Sequence, residues 1–69
     1  MKKQRSFKKK RLTGDSMIVI NTYDDETITI QVNDICTPLF QEIPFEATGF
    51  GNSYLYAKWL IKNGYEEVT

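Results

Sequence analysis

The stretch EIPFEATGFGNSYLYAKW, residues 42–59, changes character midway, and that change decides the architecture. Its first half continues an alternation that begins at Leu39. Leu39, Gln41, Ile43, Phe45 and Ala47 point one way; Phe40, Glu42, Pro44 and Glu46 point the other. Period-two spacing predicts a strand. Pro44 has no N–H to give to a ladder, so the strand is expected at a sheet edge. Gly49 and Gly51 end the alternation, and Asn52 or Ser53 can accept from the free N–H groups of a first helical turn. A helix over 53–63 follows, stopped by Asn63-Gly64, where glycine can take the left-handed conformation that closes a helix. At helical spacing Tyr54, Tyr56, Ala57, Leu60 and Ile61 form one broad apolar arc. Lys58 and Lys62 sit across from it, with Leu55 and Trp59 as a second, narrower stripe beside them. Trp59 either braces the core or anchors a partner. YEEV, residues 65–68, then reads as a short last strand.

Toward the N-terminus, TITIQV alternates cleanly, with Ile28, Ile30 and Val32 on one face and Thr27, Thr29 and Gln31 on the other. MIVINTY before it is β-branched, and YDDE between the two supplies turn residues, so they predict an antiparallel hairpin. The order is β-β-β-α-β. It implies an α+β domain: a small antiparallel or mixed sheet of three to four strands with one helix packed on one face.

Charge divides the chain in two. Residues 1–16 carry Lys2, Lys3, Arg5, Lys8, Lys9, Lys10 and Arg11 against one acid, Asp15; residues 17–69 carry two lysines against eight acids. The opposite excesses cancel, leaving a formal net charge of zero. With only Met1, Phe7 and Leu12 as apolar side chains, residues 1–16 are expected to be a disordered basic tail, and residues 17–69 the acidic folded domain. Deleting the tail is then expected to leave that domain folded.

The chemistry of catalysis is missing from the sequence. Histidine is absent, and Cys36 is the only cysteine, expected to be a small semi-buried apolar residue. Gly49-Phe50-Gly51 is too short for a phosphate-binding loop, and Asp24, Asp25 and Glu26 read as a solvated turn. We therefore expect no enzyme activity, no cofactor and no metal. The basic start leads into Leu12-Thr13-Gly14-Asp15 where a secretory leader would have an apolar core, and no run reaches the roughly 18 apolar residues of a membrane span. A cytoplasmic protein without membrane contact is expected.

Two binding surfaces remain. Glu42, Glu46, Glu66 and Glu67 lie on predicted edge strands, where charge either blocks sheet-to-sheet association or docks on a basic partner. Lys2, Lys3, Arg5, Lys8, Lys9, Lys10 and Arg11 could clamp nucleic-acid phosphates or lie on the acidic domain.

Residues 42–69 add a resemblance. EIPFEA, the helix containing AKW, and NGYEEVT are similar to the small bacterial RNA polymerase inhibitor encoded by gene two of T7-like phages. That family has a Glu-Val-Pro-x-x-Ala strand, a helix ending in Ala-x-Trp and a Gly-Phe-Glu-Val-Thr strand. Pro44, Ala47, Ala57 and Trp59 keep its spacing, and Gly64-Tyr65-Glu66 follows one residue early. The resemblance implies a helix on a small sheet and non-catalytic binding to the polymerase β′ subunit or another host macromolecular machine. This would be a phage protein that takes over host transcription in the bacterial cytoplasm. Glu42 and Glu66 match acidic family positions and carry over as contact candidates. At helix positions where the family is acidic, this chain has Gly51, Asn52, Leu55 and Lys58.

Overall fold

A computed structural model describes residues 2–12, 14–33 and 41–68. The expectations for Cys36 and for a strand starting at Leu39 and Phe40 lie outside these residues. The described elements are β1 (Lys3–Arg11), β2 (Gly14–Thr22), β3 (Ile28–Asn33), β4 (Glu42–Pro44), a 3₁₀ turn (Phe45–Thr48), α1 (Ser53–Lys62) and β5 (Glu66–Val68). The class is α+β, and the sheet has five strands in the order β4-β3-β2-β1-β5, every neighbouring pair antiparallel.

The fifth strand is the basic stretch. Residues 3–11 are not a disordered tail: β1 pairs with β2 along its whole length, from Lys3↔Thr22 to Arg11↔Gly14. Composition alone misjudges it because one side chain carries the burial. Phe7 is 0% exposed and belongs to the core with Ile18, Ile20 and Ile30. Arg5 lies over the Phe7 ring at 5.4 Å, and Lys9 lies over Tyr65 at 5.7 Å, so the cations beside Phe7 cover aromatic surface.

The β2–β3 hairpin is the antiparallel pair expected, with the register Met17↔Asn33 through Thr22↔Ile28. Its turn closes through the Tyr23 N–H donating to Thr27 O and the Glu26 N–H donating to Tyr23 O. Among the described residues β4 pairs with β3 on one side only, so Pro44 lies at an edge of the described sheet. The strand is shorter than the alternation predicts. After Pro44 the chain turns into a 3₁₀ helix, which buries Phe45 and leaves Ala47 exposed. Gly49, at φ 79°, closes that turn in the left-handed region.

The two caps of α1 are as the sequence suggests. Asn52 Oδ1 accepts from the Leu55 N–H at 2.9 Å. At the other end the Tyr65 N–H donates to Leu60 O and the Gly64 N–H to Ile61 O, with Gly64 at φ 93°. That double bond pattern is a Schellman ending. The buried arc is narrower than expected: Tyr56, Ala57 and Leu60 face the sheet, while Tyr54 and Ile61 are 67% and 54% exposed. A ten-residue helix over a small sheet has one contact line, which the two outer positions miss. Because β4 and β5 are each antiparallel to the odd-numbered strand beside them, they run parallel to each other. α1 carries the chain between them from one edge of the sheet to the other, so they are not the parallel neighbours of a simple crossover.

Candidate functional site

The sheet order separates the predicted acidic rim. Glu42 on β4 and Glu66 on β5 lie on the same face, the one away from α1, but at opposite edges, with three strands between them. Four strand spacings amount to about 19 Å. A single continuous contact through both residues is therefore corrected to two separate edges. Glu46 lies in the 3₁₀ turn near Glu42, and Glu67 lies beside Glu66 on β5 but on the other face of the sheet.

Several of these acids are held by this chain's own side chains. Glu42 accepts hydrogen bonds from the Tyr23 hydroxyl and from Thr29 Oγ1, which hold its carboxyl below the usual carboxylate range and push the Tyr23 hydroxyl up. Glu67 receives a two-pronged bond from Arg5, Nε at 2.8 Å and Nη2 at 2.9 Å. The guanidinium lowers the Glu67 carboxyl and is itself raised by it. Glu66 stands opposite Lys8 in the β1–β5 register. Basic β1 thus settles on acidic β5, joining the two halves of the charge division across about sixty residues of sequence.

The remaining cations divide by face. On the helix side, Lys9 Nζ donates to Asn63 O at 2.8 Å, placing a positive charge at the negative end of α1. Arg11 reaches the Tyr65 hydroxyl at 3.4 Å, and that hydroxyl also shares a hydrogen bond with buried Ser16 at 3.1 Å. On the side away from α1, Lys8 pairs with Asp15 at 3.0 Å, both partly exposed. Lys2 lies over the Tyr23 ring at 5.6 Å. Lys3 and Lys10 are exposed, with no ion pair or hydrogen bond among the described residues.

Position along β1 sorts these cations further. β5 pairs only with Ser6–Lys8, and β3 pairs with β2 only from Met17 onward. Among the described residues, the ribbon from Lys9↔Ser16 through Lys10↔Asp15 to Arg11↔Gly14 therefore has no flanking strand. It runs about 10 Å beyond the flanking strands, with the turn from α1 into β5 packed on one face through Lys9–Asn63 and Ser16–Tyr65. At its tip Leu12 is fully exposed. The acid turn opposite is a solvated loop, with Asp25 Oδ1 accepting from the Thr27 N–H at 3.0 Å. Bonds from Thr27 keep the Asp25 carboxyl below its usual range. No cluster of three or more potential ligands among the described residues is arranged to hold a metal ion.

Two features escape sequence reasoning. The polar ladder on the face away from α1 is one: Gln4 Nε2 donates to Asn21 Oδ1 at 2.9 Å, and Asn21 Nδ2 donates to Gln31 Oε1 at 2.9 Å, with Asn21 fully buried. The β1–β2 hairpin is the other. Its available signal is Gly14 shortly after the basic run, a residue that favours chain reversal ahead of the β-branched MIVINTY once Phe7 is read as a strand anchor.

These carboxylates set an acid limit. Glu67, Glu42 and Asp25 titrate lower in the folded chain than in the unfolded one. Their contribution is present above the ordinary carboxylate range and is lost as pH falls through the folded values. The urea midpoint is expected to fall steadily below about pH 5. Glu67→Gln should flatten part of that slope; an unchanged slope would show that the Arg5 pair contributes nothing.

Comparisons with family models, curated proteins and solved structures return no match to this chain. Among the described residues, no helix is long and apolar enough to cross a membrane.

Proposed function

We propose that the chain is a non-catalytic nucleic-acid-binding module of the bacterial cytoplasm, engaging its ligand through the projecting end of the β1–β2 hairpin. The observation that supports this best is the fixed ribbon: Lys8, Lys9, Lys10 and Arg11 alternate between its two faces, and among the described residues no strand flanks its end. A two-stranded ribbon fits a duplex major groove about 12 Å wide, and exposed Lys10 and Arg11 at its end would meet phosphates while Lys9 stays on Asn63. The strand pre-orders these cations, so less freedom is lost on binding than a mobile tail would lose.

Titration of duplex DNA and duplex RNA fragments against rising salt tests the reading. Binding should weaken steeply with salt, and Lys10→Ala should weaken it on every sequence alike, lowering the slope of log affinity against log salt by about one. Absence of binding at low salt, or unchanged affinity in Lys10→Ala and Arg11→Ala, would overturn it.

Inhibition of bacterial RNA polymerase through its β′ subunit is the second reading. It is favoured by the strand–helix–strand order of residues 42–68, with Ala57 buried and Trp59 half exposed. The acidic contact would then come from one edge alone, Glu42 with Glu46 or Glu66 with Glu67. Retention of polymerase subunits on the immobilised chain, lost on Glu42→Lys or Glu66→Lys, would support it and identify the edge. No retention would remove it.

A further inference from the structure

Helix α1 has a second surface that the nucleic-acid reading does not use. Tyr56, Ala57 and Leu60 face the sheet. The outer arc runs from Ile61 and Tyr54, through Lys58 and Lys62, to Leu55 and Trp59. Leu55 is 47% exposed and Trp59 45%. One side of the Trp59 indole is fixed by a parallel stack on Tyr56 at 6.2 Å and by Phe50 at 5.7 Å. Leu55, Lys58, Trp59, Ile61 and Lys62 together line a shallow depression. SYLYAKWLIK contains no acid, so nothing within the helix neutralises the two lysines, and neither pairs elsewhere among the described residues.

We propose that this face docks an acidic amphipathic segment of a partner protein, with a row of carboxylates on Lys58 and Lys62 and apolar side chains against Leu55–Trp59 and Tyr54–Ile61. Charge complementarity selects this occupant, and the arrangement of the stripes excludes two others. A bilayer surface would have to bury the lysines, because they bisect the exposed arc where an interfacial helix keeps cations away from its apolar side. A nucleic acid could stack on Tyr54 and Trp59, but it would find only two cations on this face, Lys58 and Lys62, where it needs a phosphate track. A half-exposed tryptophan already pinned on one side is a rigid anchor of the kind that dominates protein interfaces.

Trp59 is the only tryptophan, so its emission reports on this face alone. The probe is a synthetic helical peptide with one row of glutamates between two rows of leucines, titrated into the full chain. Saturable binding with a blue shift is expected. At least about a tenfold loss of affinity is expected in Lys58→Glu/Lys62→Glu, and a similar loss when the peptide's glutamates are replaced by glutamine. Circular dichroism must show the double variant folded, and Leu55→Ala serves as a second variant that keeps the charge. Unchanged emission would overturn the proposal, as would equal binding of the glutamine peptide. Preferential partition onto phosphatidylserine vesicles would assign the face to a membrane. A salt-sensitive dimer abolished by Lys58→Glu would assign it to a second copy. Either result would overturn the proposal. The hairpin variants Lys10→Ala and Arg11→Ala should bind the peptide normally, so failure here and failure of the nucleic-acid reading are separate results.

Discussion

Phe7→Ala is expected to unfold most of the protein at room temperature. Phe7 is fully buried, the one large apolar side chain of β1 in the core, and lies between β2 at Ile18 and β5 at Glu67. Truncating a buried phenylalanine costs about 3–5 kcal/mol, from lost transfer energy and the cavity left behind. A domain of this size has only a few kcal/mol in total. The loss also removes the surface on which Arg5 rests, and so loosens the Arg5–Glu67 pair that joins β1 to β5. Chemical denaturation followed by circular dichroism measures the effect. Deleting residues 1–11 should do at least as much damage, because it removes a central strand together with the partner of β5. A cooperative transition near the wild-type midpoint in either variant would mean that β1 is dispensable and the five-stranded sheet wrong.

Leu60→Ala has the second largest expected effect, about 2–5 kcal/mol. α1 meets the sheet through three buried side chains, and Leu60 is the largest aliphatic one, at 0% exposure. Its carbonyl also receives the Tyr65 N–H that closes the helix, so the side chain and the turn into β5 are secured at the same residue. The informative comparison is Ile61→Ala. Sequence spacing puts Ile61 in the same apolar arc as Leu60, but the structure leaves it more than half exposed. Its loss should cost no more than about 0.5 kcal/mol. Equal urea midpoint shifts for the two variants would show that the helix sits rotated from the position described here.

The contrast between these residues shows which parts of the fold were legible. The β2–β3 hairpin is readable because TITIQV alternates apolar and polar residues, which puts Ile28, Ile30 and Val32 on the face shared with Ile18 and Ile20, and period two leaves one solution. The ends of α1 are readable because Asn52 and Asn63-Gly64 act through their own local bonds. β1 is not readable in this way. KQRSFKKKR carries one apolar side chain, so no polar–apolar alternation announces its pairing with β2, and its other flank is closed by a β5 about sixty residues away. The site follows the same rule. Listing the acids was possible from sequence. That Glu42 and Glu66 fall at opposite edges depends on strand order, which no local pattern encodes. Nor does local pattern reveal that Arg5 holds Glu67, or that Lys9 caps the end of α1.

The neighbourhood of β1 and β5 bears on how this protein is born. During synthesis the basic strand leaves the ribosome early and can zip onto β2 at once, while its other flank stays open until residues 66–68 appear. Until then a nascent chain displays an unshielded lysine-rich strand edge, able to recruit foreign strands or polyanions. Completion of the fold thus waits on closing a loop of about sixty residues between β1 and β5.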